Sequence, residues 1–264
     1  MSDEKPHTAV LAEEAGVPVI TVSGLWFSYP ERPNVLRDVS LTVLPGERVG
    51  LIGPNGSGKT TLFLQLCGVL KPSAGQIVVF GTPVVNGDFR SDMGLVFQNP
   101  DDQLFCPSVR DDVAFGPRNM GLSEDEIDAR VTEALSTVDA VELADRPPHH
   151  LSEGEKRMVA IAGVLAMRPR LLIYDEPSAN LDIRSRRRLI RLLQASTETI
   201  LVASHDLELV LEVCQRVVLI DNGRIIADGS PREIMGDDRL MQAHGQEKPH
   251  SLVPHQFPHG KSLE

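Results

Sequence analysis

Short apolar runs and amphipathic stretches alternate along most of the chain. Val19 to Phe27 alternates and is rich in Val, Ile and Thr, which predicts a strand. Asn34 to Val43 reads as its neighbour, closed by Pro45-Gly46, so the two predict a small antiparallel sheet. Glu47 to Ile52 is an apolar run of the buried-strand type, and Leu62 to Leu70 reads as a helix. Gln76 to Phe80 and Asp92 to Gln98 read as strands, Asn99 to Pro107 as a loop, and Ser108 to Phe115 as a short helix. Ser123 opens a clearer helix: Glu126 stands at the capping-box distance, and Ile127, Val131, Leu135 and Val138 recur at helical spacing. Another helix opens at Ser152, with Glu155 three residues on, and runs to Met167. Residues 100 to about 165 thus read as an inserted, mostly helical lobe.

Leu171 to Tyr174 is a buried-type strand ending in Asp175-Glu176-Pro177. Ile183 to Gln194 is amphipathic and basic; Thr199 to Ala203 reads as a strand and Asp206 to Val213 as a helix. Val217 to Ile220 and Arg224 to Ala227 predict a hairpin around Asp221-Asn222-Gly223, a strong turn sequence. Pro231 to Met235 begins what reads as the last short helix. The expected organisation is a loose N-terminus over 1–18, one α/β domain over 19–240 and a weakly patterned tail over 241–264.

Between the run ending at Ile52 and the helix from Leu62 lies GPNGSGKTT, Gly53 to Thr61. Strand, glycine-rich turn, then helix is the context a phosphate-binding loop requires. Gly53, Asn55, Gly56, Ser57 and Gly58 form the turn, whose backbone N–H groups can point inward at phosphate oxygens. The following helix presents its positive dipole end to the same anion. Lys59 supplies a full charge for the β- and γ-phosphates, the Thr60 hydroxyl is placed to ligate Mg²⁺, and Thr61 adds a hydrogen bond to phosphate.

Composition narrows the partners. The formal net charge of −11 argues against non-specific nucleic-acid binding, which needs a basic face; Arg184 to Arg191 is one candidate for a local basic patch. Cys67, Cys106 and Cys214 are scattered and odd in number with no CxxC pair, so neither zinc nor a disulfide framework is indicated. The first residues lack the basic start and apolar core of a signal peptide. The apolar run Met158 to Met167 is too short to span a bilayer, so any membrane role is expected through a partner. His149, His150, His244, His250, His255 and His259 fit no compact ligand set and read as exposed loop histidines.

The phosphate loop, Gln98, LSEGE, LLIYDEP, SANLD and His205 occur in the order and approximate spacing of an ABC-type ATPase, and the chain resembles that family over about residues 19 to 240. The resemblance implies a P-loop NTPase core with an N-terminal antiparallel β-subdomain and an inserted α-helical subdomain. It implies ATP and Mg²⁺ as cofactors, with Asp175 holding the metal opposite Thr60 and Gln98 touching the metal or the attacking water. Glu176 would polarise that water, His205 would reach the γ-phosphate, and Tyr29 matches the aromatic that stacks on adenine. Ser152 and Gly154 would contact the ATP of a second subunit, and Asp182 would cross the same seam, giving a head-to-tail dimer of like or unlike chains. Glu153 and Glu155 stand where the commoner LSGGQ has glycine and glutamine. Glu155 matches a subset of the family, whereas Glu153 adds negative charge near a phosphate.

Gln98-Asn99-Pro100-Asp101-Asp102-Gln103-Leu104-Phe105 resembles the energy-coupling-factor group, where this segment forms a short extra helix facing the membrane partner. DVAFGPRNMGLS, PHHLSEGEKR, VAIAGVLAM, SHDLELVLE and IADGSPREIM look most like its cobalt- and nickel-uptake branch. The expected protein is therefore an ATPase peripheral to the cytoplasmic face of the membrane, energising uptake of cobalt or nickel. The alternatives are the ATPase of a vitamin importer, a soluble ABC ATPase outside transport, and a regulatory subunit that does not hydrolyse.

Overall fold

The computed structural model describes residues 16–253. The expectation of a loose N-terminus falls largely on residues outside that range, as do His255 and His259.

Two sheets organise the chain. β1 (Ile20–Tyr29) and β2 (Arg32–Val43) form the predicted antiparallel hairpin, which β4 (Ala74–Val79) and β5 (Thr82–Pro83) extend in the order β2-β1-β4-β5. The larger sheet contains β3 (Arg48–Ile52), β6 (Met93–Val96), β7 (Leu171–Asp175), β8 (Thr199–Ala203), β9 (Arg216–Asp221) and β10 (Arg224–Gly229), in the order β10-β9-β3-β8-β7-β6. All its pairings are parallel except the terminal hairpin of β9 and β10.

The parallel strands read as continuous apolar runs because both faces of their sheet are covered. Alternate residues face two different cores. Leu171, Ile173, Leu201 and Ala203 join Val49, Leu51 and the first sheet, packed with Leu62, Phe63 and Leu66 of α1 (Lys59–Leu66). Leu172, Tyr174, Ile200 and Val202 join the opposite core. That core includes the inserted lobe: α2 (Val109–Asn119), α3 (Glu124–Thr137) and α4 (Glu153–Leu165). It also includes α5 (Ile183–Ala195) and α6 (Leu207–Val213). Both subdomains expected from the family resemblance are present, one on each side of the parallel sheet.

Three expectations need correction. The Ser123 box is only half formed: its hydroxyl accepts from the Glu126 N–H, but the Glu126 carboxylate turns to Arg130 at 2.7 Å. A full charge one turn along the helix outcompetes a backbone N–H for that carboxylate. α7 (Pro231–Gly236) is not the last helix, because Asp237 caps α8 (Asp238–Ala243). Met241 of α8 is fully buried, so the packed domain crosses residue 240. Ser251 also docks on Glu208, its hydroxyl donating at 2.7 Å. The basic run of α5 is partly occupied internally: Arg186 forks onto Asp206, Arg187 pairs with Glu212 and Arg188 with Asp139, while Arg184 and Arg191 are exposed. Among the described residues no cluster of His, Cys, Asp and Glu could hold a metal ion, and no helix is long and apolar enough to cross a membrane.

Replacing Met241 by Ala should cost about 2–5 kcal/mol, the range for emptying a buried methionine site. Urea unfolding followed by Trp26 fluorescence measures it; an unchanged midpoint would place α8 outside the cooperative domain.

Candidate functional site

Parallel pairing sets the site. The register aligns Leu51 with Ala203, Ala203 with Asp175, and Tyr174 with Val96, so β3, β8, β7 and β6 all end on one edge. The residues that follow each strand are therefore gathered there, where open α/β sheets bind ligands. β3 delivers the loop Gly53 to Gly58, β7 delivers Asp175 and Glu176, β8 delivers His205, and β6 delivers Gln98. A cleft of about 280 Å³ is lined by Asn55, Gly56, Gly58, Lys59, Thr60, Thr61, Gln98, Asp175, Glu176 and His205, with Tyr29, Arg32 and Val35 on its outer side. Gly53 and Ser57 lie beneath the loop and shape it. Gly53 has φ 144°, and a Cβ there would fall 1.9 Å from the Ile220 carbonyl oxygen. Only glycine lets the chain leave β3 so close to β9.

Lys59 is buried and its ammonium donates to the Gly53 and Pro54 carbonyls at 2.8 and 3.1 Å. Burial lowers its pKa, while Glu176 and Asp175 raise it. Asp175 is 4% exposed; burial pushes its carboxyl up, opposed by a hydrogen bond from Thr60 and by the charge of Lys59. Its Oδ1 is buried with no hydrogen-bond partner. An orphaned carboxylate oxygen beside a threonine hydroxyl is the donor set a hard cation such as Mg²⁺ takes, so these residues fit that metal.

Glu176 sits at φ 47°, a left-handed conformation uncommon for a residue with a side chain. Its backbone N–H donates to the Ala203 carbonyl at 2.9 Å, and its Oε2 accepts from the His205 N–H at 3.0 Å. These two bonds to the end of β8 hold it in place. Burial pushes its carboxyl up, against the His205 N–H and Lys59. His205 Nε2 lies 3.4 Å from Glu176 Oε1 and 3.5 Å from Lys59 Nζ; burial and then Lys59 lower its pKa. Glu176, His205 and Lys59 thus form one chain of contacts. Tyr29 closes the outer side, its hydroxyl 3.4 Å from Thr61 Oγ1 and its ring edge-on to Phe27 at 4.8 Å.

Ser152, Gly154 and Asp182 do not line this cleft. They meet on a second patch. Ser152 caps α4 in a complete capping box with Glu155, whose carboxylate accepts from the Ser152 N–H at 2.8 Å. Asp182 caps α5, accepting from the Ser185 N–H at 2.8 Å. A Cβ on Gly154 would fall 2.4 Å from Ser185 Oγ, so glycine is what lets the two helix starts meet. Ile183, beside Asp182, is 82% exposed. Glu153 is partly balanced by Lys156 at 3.5 Å.

Sequence reasoning missed Arg32, whose Nη2 donates to the Gly56 carbonyl at 2.7 Å. Its place opposite Tyr29 across the first hairpin was the available signal. It also missed Arg157, a buried cation within an apolar helix face.

A glycine-rich loop between strand and helix, an orphaned aspartate, a left-handed glutamate and a histidine on one edge of a parallel sheet are the arrangement of a P-loop nucleotide hydrolase. Residues 36–179 match the family model described as ABC transporter. The energy-coupling factor transporter ATP-binding protein EcfA of Methanothermobacter thermautotrophicus is 47% identical over 232 residues, covering 85% of this chain and 75% of that protein. The structure of cbiO1 from Clostridium perfringens, described as part of the ABC transporter complex cbiONQ, superposes with TM-score 0.74. It is 38% identical, over 86% of this chain and 94% of its own. The ATP-binding cassette MJ0796, solved as a dimer bound to ADP and Pi, gives TM-score 0.72 at 25% identity, over 81% of this chain and 99% of its own. The chain belongs to the ABC transporter family, as an ATP-binding subunit of the energy-coupling-factor type. It binds ATP with Mg²⁺ and hydrolyses it in a reaction coupled to transport.

The raised Glu176 carboxyl carries a sign that can be checked. A carboxylate whose folded pKa lies above its unfolded one destabilises the fold when ionised, and the penalty fades as pH falls through the folded value. Without nucleotide, Glu176→Gln should therefore melt above the parent at pH 8, with the gap closing toward pH 4.5, the ordinary glutamate value. A variant less stable at pH 8 would contradict the assigned cause.

Proposed function

We propose that this chain is the ATPase of a metal-ion importer of the energy-coupling-factor type, and that two copies or paralogous chains close around two ATP molecules. The convergence of Lys59, Asp175, Glu176, His205 and Gln98 at one strand edge carries the catalytic half of this reading. Lys59 and the loop N–H groups hold the triphosphate, and Tyr29 stacks on the adenine. Thr60, Asp175 and Gln98 hold Mg²⁺, which neutralises charge on the β- and γ-phosphates when bound. Glu176 takes the proton of the attacking water as its oxygen bonds to the γ-phosphorus, while the bond from that phosphorus to the β–γ bridging oxygen breaks and ADP leaves. Its raised pKa makes the ionised form a stronger base. His205, whose Nε2 faces the cleft beside Glu176 and Lys59, stabilises the charge spreading over the γ-phosphate oxygens by donating from that nitrogen.

One copy offers no lid to its own nucleotide. Ser152, Gly154 and Asp182 are on another face, and the start of α4 is a ready anion site. A second copy, head to tail, brings that patch over the cleft, and exposed Ile183 fits a seam between protein surfaces.

The membrane partner is expected at a different surface. Phe89, Phe97, Phe105 and Phe115 are all exposed and border a groove of about 300 Å³ with Gly116 and Met167. Phe105 and Phe115 meet edge to face at 4.9 Å. Four exposed phenylalanines in one groove are unusual for a free surface. The groove abuts the segment Gln98 to Phe105, so a membrane-embedded subunit seated there reaches the site through Gln98. The protein is then peripheral, on the cytoplasmic face of the membrane. Cobalt or nickel as cargo is supported by the likeness to cbiO1 of the cbiONQ complex and by the cobalt-branch motifs. The cargo itself is bound by the membrane partner.

Glu176→Gln should bind ATP like the parent and lose turnover by about 10²-fold or more, the scale of a removed general base. Steady-state phosphate release and equilibrium nucleotide binding measure the two halves; undiminished turnover removes Glu176 from the catalytic role. Phe105→Glu should abolish co-purification with the membrane subunits of its complex while leaving its own ATPase intact; retained co-purification would place docking elsewhere. ATP-driven accumulation of cobalt or nickel in vesicles holding the whole complex is the expected transport result. Accumulation of a vitamin in place of either ion would overturn the cargo assignment.

A further inference from the structure

Arg157 has no part in the chemistry above, yet it is 2% exposed and among the described residues makes no ion pair. Its Nη1 donates to the Phe97 carbonyl at 2.6 Å and its Nη2 to the Gln98 carbonyl at 2.5 Å; its Nε is buried without a partner. The charges of Glu153 and Asp175 act on it without bonding it, and burial outweighs both. Burying a cation hydrogen-bonded only to carbonyls is costly, and an apolar side chain of similar volume would serve packing better. A role in holding those two carbonyls explains the cost.

The two residues it holds face different sites. The Phe97 ring borders the apolar groove, and Gln98 lines the nucleotide cleft. Arg157 itself belongs to α4, which begins at Ser152 and Gly154. The same helix grips the rest of the segment. Lys156 pairs with Asp101 at 2.8 Å, and Gln103 donates to the Ala160 carbonyl at 2.9 Å while accepting from the Phe97 N–H at 3.3 Å. Groove, Gln98 and the start of α4 are thus fastened into one body, with the guanidinium at the point where all three meet.

We propose that Arg157 is a positioning residue that couples the groove to both halves of the ATP site: displacement of the Phe97–Gln98 backbone moves Gln98 in its own cleft and Ser152–Gly154 over the neighbouring one. This rests on the reading that Gln98 faces bound nucleotide and that the groove takes a partner. The planar fork is what spans two adjacent carbonyls, and a lysine ammonium cannot reproduce it.

The test uses the full chain carrying Arg157→Met and Arg157→Lys. Arg157→Met should keep its melting temperature and its nucleotide affinity. It should raise the Mg²⁺ concentration needed for half-maximal turnover and lower kcat by about 10²-fold, the cost of misplacing a positioned group by about 1 Å. Arg157→Lys should fall between, keeping one of the two bonds. In the complex, Arg157→Met should still co-purify with the membrane subunits but lose their stimulation of turnover. A kcat that drops only in step with melting temperature, or an unchanged Mg²⁺ requirement, would overturn the proposal. If wild-type chain fails to bind the membrane subunits, the groove reading fails, and the Mg²⁺ and kcat results on the isolated chain still decide the role of Arg157.

Discussion

Two adjacent carboxylates, Asp175 and Glu176, are held out of water beside one buried lysine. Such a cluster is unfavourable in an empty fold, since burial raises both acids and lowers the base. It persists because the parallel sheet leaves no choice. β7 lies next to β8 and β8 next to β3, so acids, histidine and phosphate loop must end at the same edge. The surrounding sheet is apolar on both faces and over-determines the backbone, including the left-handed Glu176. Local strain of this kind is sustained by packing elsewhere. On the proposed reading a divalent metal would meet Asp175 and the phosphates would meet Lys59, which is how an awkward set of side chains becomes a binding site.

The start of α4 does not line that cleft. Ser152 is capped by Glu155, so its helix end is rigid, and Gly154 lets that end sit against Ser185 at the start of α5. Two capped helix starts and exposed Ile183 form one surface. On the proposed reading ATP fills the gap between this surface on one copy and the cleft on another. ATP can shift such an equilibrium only by binding the closed pair more tightly than the open one, and hydrolysis removes that difference. Arg157 makes the arrangement answerable to the groove, because one guanidinium touches the backbone of both sites' neighbours.

The phosphate loop and most elements were legible because each rests on local chemistry: glycines at a strand end, a period-two apolar run, a turn sequence; Asp175 and Glu176 alone read as an acidic turn and gained their roles from the family resemblance. Element boundaries moved by a few residues, as frayed ends do. The roles of Gln98, His205, Ser152, Gly154 and Asp182 were legible only through family resemblance, since no local pattern separates them from ordinary loop or cap residues. The structure gathers the first two in the cleft and the other three on the second patch. Where a competitor entered from elsewhere in the chain, sequence reading failed. Arg130 took the Glu126 carboxylate that the capping box needed. α8 was missed because Asp237 caps a helix of only six residues, too short for a periodic signal. Arg157 was invisible because an arginine near a helix start reads as solvated, and only the fold brings the carbonyls of Phe97 and Gln98 to it.

The central claim is that each ATP site is built from two molecules, and complementation tests it most directly. One chain carries Lys59→Ala and the other Ser152→Asp, a change that keeps a good N-cap while placing charge against the phosphate. Each variant alone should be inactive. In a mixed dimer purified through two different tags, one site carries both lesions and the other carries neither, so ATP hydrolysis should return. A mixed dimer that forms and stays inactive would contradict the shared site.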